Sequence, residues 1–200
     1  MNKRSVLKKV NEATEYVLNS EPAPGKVKPA QAIAFSGIFC ALALVIMFMT
    51  SLLGIFTYAG PIAAAVTLIP IREEFGTKTG LTAWAAIAAL SMMLLPDREM
   101  ALFFICFGWY PLALRPVHKI KPRLLRIAVT LVIYLALVLL MYGVLCGLLG
   151  IDPELAENTR IFNIALLITG GLTFLLCDAA YCRMLLLWQV KWRKSFRKLL

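Results

Sequence analysis

The sequence predicts an all-α fold: a polytopic membrane protein, built as a six-transmembrane-helix bundle with both termini in the cytoplasm. Three observations carry that prediction. The first is composition. Sixty per cent of the 200 residues are hydrophobic and only 16% are charged, with a mean hydropathy of +0.79, whereas charged residues alone make up about a quarter of an ordinary soluble chain. The second is length, since at roughly 20 residues per crossing the chain has room for five or six spans and no separate soluble domain. The third is the placement of charge in the loops, taken up below.

Residues 1–29 read as a basic cytoplasmic tail. Lys3, Arg4, Lys8, Lys9, Lys26 and Lys28 stand there against Glu12, Glu15 and Glu21. A secretory signal would place its apolar core soon after a short basic region, so the tail is expected to be retained. Val6, Val10, Ala13 and Val17 recur at helical spacing, which fits either a short amphipathic helix on the membrane surface or a solvated tail with some helical tendency. EPAPGKVKP then reads as an extended linker.

The membrane domain is expected over residues 30–190, with a second basic tail over 191–200. No charge occurs from Pro29 to Ile71, which is too long for one helix at about 1.5 Å per residue. GIFTYAGP, Gly54 to Pro61, supplies the turn and restart, giving spans over 31–53 and 60–75. The second span is short, stopped by Gly76, and its end is expected to carry Arg72, Glu73 and Glu74 into water. Uncharged runs between Lys78 and Asp97, Glu99 and Arg115, Arg126 and Asp152, and beyond Arg160 give the remaining spans, over 79–96, 99–115, 127–150 and 160–185. No β-barrel alternation is present.

Loop charge fixes the expected orientation. With the N-terminus inside, all but Arg98, Arg160 and Arg183 of the 21 basic residues fall in cytoplasmic segments. Asp97, Glu99, Asp152, Glu154 and Glu157 fall outside. This is the partition that the positive-inside rule demands. It also explains the net charge of +10 without nucleic acid, because the basic residues flank apolar runs and do not form a duplex-binding face.

Catalytic signatures are absent: there is no HExxH, no GxSxG and no P-loop, and the single histidine, His118, sits in a basic stretch where solvation is the default. The chain therefore reads as non-enzymatic, with no cofactor. The five cysteines lie in apolar segments without CxxC spacing, as small buried residues would, so no metal ligands are expected among them. Asp178 is the acid expected to lie deepest. It is either an intramembrane functional carboxylate or a group near the inner interface paired with Arg183, Lys191 or a residue of the 115–126 stretch. Trp109 and Tyr110, between Gly108 and Pro111, fit an aromatic belt and a helix kink, or a site of the kind built on interrupted spans. Asp97 suits an N-cap of the fourth span, after a tight external turn at Pro96.

Span one carries Ala30, Ala34, Gly37 and Ala41 along one stripe, which permits close helix contact with a partner or within the bundle. In that setting the segment AIAFSGIFCALAL, together with six spans and inner termini, resembles the substrate-binding S components of energy-coupling-factor transporters. The resemblance covers residues 30–190 by architecture. It implies a non-enzymatic binding subunit of an ATP-driven importer in a bacterial cell membrane, taking a vitamin-like small molecule. Ala34, Gly37 and Ala41 would dock on a transmembrane coupling subunit that works with ATPase subunits, and Asp97, Arg98, Glu99, Arg160 and Asn163 would border the substrate site. The chain departs from that family in its short first outer loop and its long basic tail. PDREMALFFICFGWYP also looks like a segment of small membrane proteins of Gram-positive bacteria. The alternatives are a structural or regulatory multi-pass protein whose tails contact anionic lipid or a cytoplasmic partner, and a small secondary transporter with Asp178 as its proton-linked carboxylate.

Overall fold

The computed structural model of the chain describes residues 29–54, 57–120, 122–149 and 160–193; the side chains of 123, 142, 144–149 and 160–166 lie outside the description. The two tail segments 1–28 and 194–200, the linker and the segment around Asp152, expected as an outer loop, therefore lie outside the described residues.

Every element among the described residues is helical. In chain order they are α1 (Pro29–Leu53), α2 (Ala59–Ala65), α3 (Leu68–Phe75), α4 (Thr77–Leu94), α5 (Arg98–Phe107), α6 (Tyr110–His118), α7 (Arg123–Leu149) and α8 (Arg160–Leu187), the last running into a π-helical turn, Trp188–Trp192. Four stretches are long and apolar enough to cross a membrane: Pro29–Leu53, Arg98–His118, Leu124–Met141 and Leu167–Trp192. They correspond to the first, fourth, fifth and sixth expected spans. α4 has 18 residues, but Lys78, three threonines and Gly80 dilute the apolarity of its first turns.

The expected second span is two helices. It breaks at Val66–Thr67, where Ile69 N–H bonds to Val66 C=O at 3.1 Å and the Thr67 hydroxyl donates to Ala64 C=O at 2.8 Å. Pro70 is the cause: it has no N–H to offer the Val66 carbonyl four residues back, and its ring would collide with that carbonyl in a continuous helix. Gly76 then turns the chain from α3 into α4 at φ 90°, ψ 170°, a conformation open to glycine alone. The fourth span is likewise interrupted, at Gly108–Trp109, where Leu112 N–H bonds to Trp109 C=O at 2.9 Å, three residues back, and Pro111 has no N–H to offer the Phe107 carbonyl.

These breaks set the packing. α1 lies against α2 and α4, α3 against α4 and α6, and α6 against α7 and α8. The core centres on Met47, Leu68, Ile71, Ile87, Met100, Phe104, Tyr110 and Leu114. Large apolar side chains on the outer faces of α1, α4, α7 and α8, including Ile33, Met93, Leu139 and Leu176, are exposed, as they are when lipid replaces water as the outer solvent.

Candidate functional site

The end of α3 carries Arg72, Glu73 and Glu74, and the expectation that they reach water is overturned. Glu73 is 0% exposed, Glu74 1% and Arg72 7%. Each is held by a group from a distant part of the chain. Arg115 of α6 grips Glu73 with both forks of its guanidinium, Nε donating to Oε1 at 2.8 Å and Nη2 to Oε2 at 2.6 Å. Gln189, on the π-helical turn after α8, donates from Nε2 to Glu73 Oε2 at 2.7 Å. Arg193 pairs with Glu74 at 2.9 Å, and Arg72 Nη1 donates to the Pro111 carbonyl at 3.3 Å. A bare carboxylate in such a place would be prohibitively desolvated; a planar bidentate partner and a further donor satisfy both its oxygens. Arg115, expected to be a loop charge, is thus a buried partner.

A second polar group is built from α6 and α8 as well. Tyr110, fully buried, donates its hydroxyl to Asp178 Oδ1 at 2.7 Å. His118 Nε2 lies 3.0 and 3.1 Å from the two Asp178 oxygens, and Cys182 Sγ lies 3.3 Å from the same nitrogen. Asp178 and Cys182 share one face of α8 because they are four residues apart. His118 ends α6. Its side chain is 6% exposed and that of Asp178 14%, so the histidine expected to be solvated is packed into the bundle. Phe174 and Tyr181, with ring centroids 4.6 and 6.3 Å from Tyr110, wall the tyrosine. Tyr110 is accordingly a core residue and not a belt residue, and the helix is interrupted just before it, at Gly108–Trp109.

Of the two readings open for Asp178, the geometry gives it partners from α6, one of them, His118, inside the 115–126 stretch; Arg183 is exposed. Glu73 and Glu74, and not Asp178, are the most deeply buried acids among the described residues. The signal that could have found them was present: an acid pair directly after a proline-broken, short apolar segment, with a lone arginine at the end of another interrupted segment.

The expected outer-rim residues stand apart from this centre. Asp97 N-caps α5, its Oδ1 accepting from Glu99 N–H at 3.0 Å and Met100 N–H at 3.4 Å. Arg98 and Glu99 are exposed. Arg160 and Asn163 fall on the first turns of α8, and their side chains lie outside the described residues. Ala34, Gly37 and Ala41 all face away from the bundle. α1 instead buries Ser36, Ala43 and Met47, on its other side, and a Cβ placed on Gly37 would meet nothing within 4 Å.

Fold and site together define an all-helical chain with several membrane-length apolar helices and a buried, ion-paired polar centre. No protein-family model, curated protein or solved structure matches the chain.

Proposed function

We propose that the chain is a six-span protein of a bacterial cell membrane, with both termini in the cytoplasm, acting as the non-enzymatic binding subunit of an ATP-driven importer of small, vitamin-like molecules. The observation that carries this reading is the free stripe on α1. A row of small residues serves close helix packing. Within this chain that packing goes to the opposite side of α1, so Ala34, Gly37 and Ala41 stay open to a helix of a coupling subunit.

Two further features support it. The ends of α3 and α6 and the π-helical turn after α8 are tied together by Glu73–Arg115, Glu73–Gln189 and Glu74–Arg193. These are the ends that loop charge assigns to the cytoplasmic side, and a six-span path brings all three there. At the other end Arg98 and Glu99 are exposed beside a capped helix start, available to border a substrate together with Arg160 and Asn163.

The test is gentle extraction from native membranes, followed by identification of what travels with the chain. The expected result is a coupling subunit and ATPases that are lost on Gly37→Leu or Ala41→Leu, while the thermal midpoint of the chain itself stays unchanged, since neither position packs internally. Recovery of the unmodified chain without ATPase subunits would overturn the reading.

A further inference from the structure

We propose that His118 Nε2, a carboxylate oxygen of Asp178 and Cys182 Sγ form a binding site for one divalent transition cation of the zinc type. This goes beyond the importer reading and does not rest on it. The three donor atoms, an imidazole nitrogen, a carboxylate oxygen and a sulfur, lie within 4.8 Å of one another, and they come from two helices fixed independently by the surrounding packing.

Hydrogen bonding alone accounts poorly for this convergence. His118 Nε2 carries either one proton or one lone pair. It nevertheless lies against both Asp178 oxygens, at 3.0 and 3.1 Å, while the Cys182 sulfur stands 3.3 Å from it and 3.7 Å from Nδ1, toward the face of the ring. One N–H shared between two carboxylate oxygens gives the adjacent thiol no part in that bond, whereas one cation attracts nitrogen, oxygen and sulfur at once.

The spacing also suits such an ion. Bonds of about 2.0 Å to nitrogen and oxygen and about 2.3 Å to sulfur, at a tetrahedral angle, put neighbouring donor atoms about 3.3 to 3.6 Å apart. The nitrogen–oxygen and nitrogen–sulfur separations need to open by a few tenths of an ångström, and the sulfur, which also stands 3.7 Å from Nδ1, must swing from beside the ring toward the Nε2 lone pair by rotation of the Cys182 or His118 side chain. A mixed nitrogen, oxygen and sulfur set selects zinc-like ions over magnesium or calcium, which prefer oxygen. Tyr110 supplies the outer support that metal-binding carboxylates ordinarily have, its hydroxyl donating to Asp178 Oδ1 at 2.7 Å. Binding takes the thiol as thiolate, its proton leaving to solvent, and the imidazole as the neutral ring. Three protein donors leave one tetrahedral position for water or a bound solute.

Because the chain has a single histidine, an imidazole signature can come only from His118, provided that purification uses a tag without histidine. The experiment is to purify the full chain in lipid nanodiscs, measure retained Zn²⁺ after dialysis, and titrate the metal-free protein with Co²⁺. The expected result is one Zn²⁺ per chain, together with a sulfur-to-cobalt charge-transfer band. That band should vanish in Cys182→Ser and persist in Cys106→Ser and Cys177→Ser. Retained zinc should fall to background in His118→Ala, and Tyr110→Phe should weaken binding about 10- to 100-fold. Absence of the band in the unmodified chain at saturating Co²⁺ would overturn the proposal whether or not the variants fold. So would a band that survives Cys182→Ser.

Discussion

Glu73 and Arg115 show what a buried charge requires. The glutamate has no access to solvent, and its two oxygens are filled by a guanidinium fork and a glutamine amide. Removing one partner leaves the other as an uncompensated buried charge, which costs about 3–5 kcal/mol, while replacing both by apolar groups of similar volume costs far less. Arg115→Ala is therefore expected to destabilise the chain by about that amount, and Glu73→Leu combined with Arg115→Met to recover most of it. Thermal or denaturant unfolding in detergent checks both, and equal losses in the single and double variants would contradict a pairing role. Gln189→Leu, which removes one hydrogen bond to a charged group, should cost less, about 1.5–3 kcal/mol.

At the scale of elements, the polar centre depends on helices that stop early. Pro70 breaks the second apolar segment and Gly76 reverses it, so that the short helix α3 delivers Arg72, Glu73 and Glu74 into the bundle. Gly76 sits at φ 90°, where a side chain is strained although a Cβ would find open space. Gly76→Ala should therefore lower stability by about 1–3 kcal/mol through backbone strain alone. The check is that Thr77→Ala, one residue on, has a much smaller effect on the unfolding midpoint. On the far side of the bundle, Asp97→Ala should cost about 1 kcal/mol by leaving the first N–H groups of α5 uncapped, with Asp97→Asn or Asp97→Ser retaining most of the stability. These local devices were legible. Gly76 as a stop, Asp97 as a cap and the helix interruption at Gly108–Trp109 are each set by residues within one turn of the feature, and that is the range over which sequence speaks directly. The break at Val66–Thr67 had its signal too, in Pro70, but the apolar run around it reads as continuous.

For the whole molecule, the positive-inside partition and the ion-paired ends lead to one topological expectation. A reporter that folds only in the cytoplasm should be active when fused to either terminus, and Arg98→Cys should react with a membrane-impermeant thiol reagent applied from outside. Labelling of that cysteine only after the membrane is permeabilised would reverse the assignment. The exposed apolar faces of α1, α4, α7 and α8 belong to the same scale. They give the molecule a lipid-facing exterior around an interior in which Glu73 pairs with Arg115 and Glu74 with Arg193.

Composition and hydrophobic run length by themselves determined the helical class, the membrane setting and the approximate position of every long helix, because burial of the backbone in lipid leaves few alternatives to helices. Turn chemistry added the caps and stops. Tertiary structure alone decided which charges meet. Glu73 and Arg115 are 42 residues apart, Tyr110 and Asp178 are 68 apart, and Glu73 and Gln189 are 116 apart. No local periodicity encodes such distances. A charge at the end of an apolar run looks the same in sequence whether it turns to water or to a partner; the packing of α3, α6 and α8 supplies the partner, and with it the reason the charge can stay inside.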